Sequence, residues 1–165
     1  MQSPRNKRVL FLCNGALVAA LYVALTFLAR LVGLDSGVIQ VRFSEMLCIL
    51  PIFMPASIPG LAIGCFLSNI LVVSNAHWID ILVGPLATLI GAIGTYLLRK
   101  IKWLAPLPAV LSNALIIPFV LAYAYGAEEG IPFLMLTVGI GELISVYGLG
   151  GMLMVSAKKF LNTLK

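Results

Sequence analysis

The chain has 165 residues, of which 61% are hydrophobic and 10% charged, with a formal net charge of +5. Soluble domains average roughly 45–50% apolar and about 25% charged residues, so this composition excludes a water-soluble domain and calls for lipid as the solvent. The basic residues fall in short clusters between apolar runs. A continuous basic face with interleaved aromatics is missing, which argues against nucleic-acid binding.

The first apolar stretch, Val9 to Ala29, is 21 residues long and follows Arg5, Lys7 and Arg8. It exceeds the roughly 7–15 residues of a signal-peptide core, and it reads as a retained span over about 9–32. Ala16, Ala20 and Ala24 repeat on it at i, i+4 and i+8, a flat stripe where another backbone can approach closely. The stripe could pack inside the bundle or against another membrane protein.

From Met46 to Ile79 no residue carries a charge if His77 is neutral. One helix of that length would measure roughly 51 Å, against a hydrocarbon core of about 30 Å. The motif "MPASIPG" supplies the turn, because Pro and Gly break helices. A second span over about 44–54 and a third over about 59–74 follow, both short enough to be tilted or recessed. A fourth is expected over about 79–98, a fifth over 104–125 and a sixth over 131–157. The expected fold is therefore an all-α integral membrane protein, one domain of six transmembrane helices with both termini cytoplasmic. Nine positives (Arg5, Lys7, Arg8, Arg99, Lys100, Lys102, Lys158, Lys159, Lys165) then lie inside and two, Arg30 and Arg42, outside. That asymmetry is the one expected of membrane proteins. Asp35, Glu45, Asp80, Glu128 and Glu129 all fall on the outer side.

Polar residues deep in such a chain require partners, since a charge near a span's centre costs about 2.5–3.5 kcal/mol on insertion scales. Glu142 is the strongest case, about 16 Å into the sixth span and near the midplane. Asn69 and Asn113 fall at similar depth and offer both donor and acceptor. The three could line one polar pocket. Glu45 and Asp80 stand at helix N-termini, where capping or the helix dipole would also favour acids. Arg42 could pair with Glu45. Phe43, Trp78, Phe133 and Tyr147 could stack on a planar ligand, although Trp78 and Tyr125 could equally be interfacial belt residues. The three cysteines, Cys13, Cys48 and Cys65, fit no metal motif and read as reduced core residues. No phosphate loop, HExxH motif or nucleophile–base pair is found, so neither an enzyme nor a metal centre is expected.

The strings "VRFSEMLCILPIFMPASIPGLAIGCFLSNIL", "DILVGPLATLIGAIGTYLLRKIKWLAPLPAVLSNALI" and "VGIGELISVYGLG" together resemble the QueT family of queuosine-precursor transporters. Its members are substrate-binding S components of energy-coupling-factor (ECF) transporters. Pro85 departs from the pattern, where a small polar residue is expected, and should kink the fourth span. The resemblance implies a six-helix S-component bundle in the bacterial cell membrane that binds a 7-deazaguanine near the outer face. That ligand would be queuine or its cyano or aminomethyl precursor. Gln40, Arg42, Phe43 and Glu45 would then face the ligand from a lid loop. Glu142 or Glu45 would accept the two parallel N–H donors of the guanine-like edge. Asn69 or Asn113 would meet the ring oxygen, Asp80 or Glu45 the aminomethyl cation, and one of the aromatics Phe43, Trp78, Phe133 and Tyr147 the ring face. The resemblance also assigns Ala16, Ala20 and Ala24 to the transmembrane coupling subunit. Two cytoplasmic ATPases would supply the energy, with no cofactor in this chain. The competing readings are an S component for another vitamin-like molecule and a small proton-coupled secondary transporter that uses Glu142.

Overall fold

The computed structural model describes residues 4–34, 39–73 and 76–163. The side chains of Arg5, Asp35, Lys158, Lys159 and Lys165, which entered the charge argument, lie outside the described ones. The described fold is entirely helical. Helix α1 runs Pro4–Leu31, followed by a 3-10 helix Phe43–Ile52, α2 Ser57–Leu71, α3 Trp78–Leu97 and α4 Leu107–Ala124. A final rod consists of α5 Ile131–Glu142, a π-helical segment Leu143–Leu149 and α6 Gly150–Thr163. Four of these stretches, α1, α3, α4 and the final rod, are long and apolar enough to cross a membrane.

The second predicted span takes a tighter form than an α-helix. Ten residues at about 2.0 Å each give the 3-10 helix a length of roughly 20 Å, less than a hydrocarbon core. It contains Pro51, whose ring removes an amide donor, and it ends in the turn that precedes α2. Helix α2 returns antiparallel to it with 15 residues, roughly 22 Å. The expected fourth span is present as α3, which continues through Pro85 to Leu97.

Small residues allow the helices to pack closely. A Cβ on Gly60 of α2 would stand 2.5 Å from the Gly15 carbonyl of α1, so these backbones are in direct contact. The core gathers Val18, Tyr22, Leu47, Cys48, Leu61, Cys65, Ala92, Ala109, Val110 and Val146, with contributions from α1, the 3-10 helix, α2, α3, α4 and the π-segment. The outer surface carries Leu12, Leu71, Leu97 and many other exposed apolar side chains. This inside-out distribution suits a lipid solvent. Ala16, Ala20 and Ala24 are exposed, while Val18, Ala19 and Tyr22 turn into the bundle. The alanine stripe is thus not internal packing within this chain.

Candidate functional site

A cavity of about 350 Å³ opens at one end of the bundle. Its walls come from the C-terminal part of α1 (Tyr22, Thr26, Ala29, Arg30), the entry to the 3-10 helix (Gln40, Arg42, Ser44) and the end of α2 (Ser68, Asn69, Val73). Asp80 at the start of α3, with Leu121 and Tyr125 at the end of α4, completes it. These ends meet because α1, α2 and α4 rise toward this side while α3 descends from it. The volume falls at the small end of the roughly 300–1,000 Å³ of small-molecule pockets.

Asp80 is held on two sides. Tyr125 donates its hydroxyl to Asp80 Oδ2 at 2.9 Å, and Asn69 Nδ2 donates to the Asp80 carbonyl at 3.0 Å. The Tyr125 hydroxyl in turn accepts from the His77 amide at 3.1 Å. His77 itself is the N-cap of α3, its Nδ1 accepting from Ile79 N at 3.3 Å. With His77 as the cap, the Asp80 side chain is available to the cavity.

Arg42 is, with Arg30, one of two cations of the wall among the described residues. It is half-buried, with its surface opening onto the cavity. Burial disfavours its charge, but the fields of Tyr22, Asp80, Glu45 and Glu142 more than offset this and raise its pKa above the ordinary arginine value. Its backbone is anchored to the final rod: Arg42 N donates to Ser145 Oγ at 3.2 Å, and Ser145 donates to the Gly141 carbonyl at 2.8 Å. The Gln40 carbonyl lies where a Cβ on Gly141 would be, so only glycine lets this segment lie against the rod.

Below the cavity lies a buried polar layer. Glu45, 1% exposed, accepts from the Tyr22 hydroxyl at Oε1. Its Oε2 accepts from Cys48 Sγ at 3.0 Å and from Asn113 Nδ2 at 3.4 Å. Glu142, 5% exposed, has Glu45 and Arg42 as its charged neighbours and the Asn113 amide beside it, while its Oε2 is buried without a hydrogen-bond partner among the described residues. Arg42 rather than a residue on another span is therefore the cation nearest to it, brought down by the segment that precedes the 3-10 helix.

The structure thus divides the residues singled out in the sequence. Gln40, Arg42, Asn69 and Asp80 line the cavity. Glu45, Asn113 and Glu142 cluster beneath it and do not line it. Phe43 is half-buried next to the cavity wall. Trp78 is 65% exposed and packs beside His77, with ring centroids 5.8 Å apart. Tyr147 points away from the cavity, donating to the Trp103 carbonyl at 2.9 Å in the connection between α3 and α4. The reasoning from sequence missed Tyr22, Thr26, Ser44 and Ser68 and gave Tyr125 no part in the site. Tyr22, Thr26 and Ala29 stand at i, i+4 and i+7 of α1, a spacing that places them on one face and offered a signal.

Comparison with known proteins points to a family of transporters. The family described as QueT transporter matches residues 12–159. "Queuosine precursor transporter QueT" of Lactococcus lactis subsp. cremoris (strain MG1363) is 34% identical over 145 residues, covering 80% of this chain and 83% of that protein. No solved structure is a significant match. With its membrane-capable helices, the chain is a multi-pass membrane protein, and it belongs to the QueT transporter family.

Proposed function

We propose that this chain is the substrate-binding S component of an ECF-type importer that takes up a queuosine precursor, a 7-deazaguanine. The observation that carries the reading is the cavity, which joins one carboxylate, two guanidinium groups and two amides of the described residues in about 350 Å³. The name of the Lactococcus relative supplies the cargo class. Asp80 accepts the paired N–H donors of the guanine-like edge, a charge-assisted and geometrically selective contact. Arg42 and Gln40 donate to the ring oxygen, Asn69 Oδ1 accepts a further ring N–H, and Tyr22 and Tyr125 flank the ring.

Orientation follows from charge. Lys7, Arg8, Arg99, Lys100 and Lys102 sit at the end opposite the cavity, which is the pattern of a cytoplasmic face. The cavity then opens outward, both termini are cytoplasmic, and the protein resides in the bacterial plasma membrane. The 3-10 helix and α2 act as a recessed pair that brings the number of spans to six. The exposed Ala16, Ala20 and Ala24 face the transmembrane coupling subunit, and two cytoplasmic ATPases supply the energy, with no cofactor in this chain. Uptake of labelled queuine and its two precursors into cells expressing the chain tests this. The proposal expects uptake that needs the coupling subunit and ATPases. Uptake that persists without them and collapses with the proton gradient would replace it with secondary transport.

A further inference from the structure

Glu142 takes no part in the cavity, and its carboxyl group has an unusual setting. It is 5% exposed, and Oε2 is fully enclosed with no donor within reach among the described residues. Glu45 is its carboxylate neighbour and already accepts from Tyr22, Cys48 and Asn113. Asn113 is the amide neighbour of both acids, and its Nδ2 donates to Glu45. Two carboxylates in one dry site do not both ionise readily, because each charge raises the cost of the other and burial raises the cost of both. An unpaired buried charge is also far more costly than an unpaired buried neutral acid.

We infer that Glu142 is a proton-binding site beneath the cavity, its carboxyl held as the neutral acid beside the Glu45 carboxylate. The remaining groups around it agree. Arg42 is the cation whose field reaches it, and it faces Asp80 and Glu45 as well, so its charge is shared among three acids. Tyr22 on α1, Cys48 on the 3-10 helix and Cys65 on α2 are neutral donors or bystanders, and Asn113 on α4 carries no charge. With Glu142 neutral, Arg42 has Glu45 and Asp80 as its acidic neighbours, and Arg30, Arg42 and Asp80 are the charged groups of the cavity wall among the described residues. With Glu142 ionised, the buried layer beneath the cavity would hold two carboxylate charges, Glu142 and Glu45, in place of one. The proton therefore sets the charge of the polar layer beneath the cavity. Asn113 stands beside Glu142 and donates to Glu45, which in turn accepts from Tyr22 on the cavity floor.

The site does not depend on the proposed cargo, so its test uses the ligand-free protein. Infrared spectra of the purified full chain in lipid nanodiscs, recorded across a pH series, read the carbonyl stretch of a protonated carboxylic acid directly. The expected result is such a band at neutral pH that is lost in Glu142→Gln and retained in Glu128→Gln, whose acid is exposed. If Glu142→Gln does not fold, Glu142→Asp should shift the band in frequency. A wild-type spectrum without the band at neutral pH overturns the inference, as does a band that neither substitution at 142 alters.

Discussion

Tyr22 and Glu45, 23 residues apart in sequence, are joined by a hydrogen bond from the phenol hydroxyl to carboxylate Oε1, and this bond ties the cavity floor to the polar layer below it. Both side chains are nearly inaccessible, Tyr22 at 2% and Glu45 at 1% exposure. Removing the hydroxyl leaves a buried carboxylate oxygen short of a donor. Tyr22→Phe should therefore destabilise the fold by about 1–3 kcal/mol. Thermal unfolding in detergent checks this, and an unchanged midpoint would mean that Glu45 finds another donor.

Asp80 is the single carboxylate of the cavity wall among the described residues. Asp80→Asn keeps the shape but turns half of the acceptor into a donor. Hydrogen bonds to charged groups are worth about 1.5–3 kcal/mol, so affinity for the deazaguanine should drop on the order of 10- to 150-fold. Tyr125→Phe, which only frees the carboxylate to rotate, should cost about 1 kcal/mol, near fivefold. Titrations of the two variants in parallel would reveal the order.

Gly141 gives a steric test of the segment that carries Arg42. A methyl group there collides with the Gln40 backbone carbonyl, which has no rotamer with which to move aside. Gly141→Ala should displace residues 40–42 from the rod, destabilising by about 1–3 kcal/mol and weakening binding with it. Gly148→Ala, on the same rod with nothing within 4 Å of the new carbon, should leave binding unaltered. Equal effects of the two changes would show that the rod, and not the seam, is what matters.

Ala20 is exposed on α1, so Ala20→Trp should change stability by no more than about 0.5 kcal/mol and leave ligand affinity intact. It should abolish co-purification with the coupling subunit and uptake with it. Uptake at the wild-type rate would place that interface elsewhere on the surface.

Much of the fold was legible because apolar run length and proline position are local properties. Pro51, Pro55 and Pro59 marked the turn before α2, and the ends of α3 and α4 fall within a few residues of the expected ones. The 3-10 form of Phe43–Ile52 was not legible, since it arises from packing a short segment against α1, α3 and the rod. Nor was the separation of Glu142 from the cavity. Depth along a span can be counted, but the direction in which a side chain points depends on the rod's rotation and on its π-helical segment. Tyr147 shows the same limit: it lies five residues past Glu142 yet reaches Trp103. Tyr125 resembled a belt aromatic because nothing local reveals its hydrogen bond to Asp80, 45 residues away.

The most direct test of the central claim is an equilibrium titration of the purified protein with queuine and its cyano and aminomethyl precursors, with guanine and riboflavin as controls. Saturable binding of a 7-deazaguanine that is lost in Asp80→Asn is the predicted result. Binding of none of them, or binding that Asp80→Asn leaves unchanged, would contradict the assignment of this cavity to a queuosine precursor.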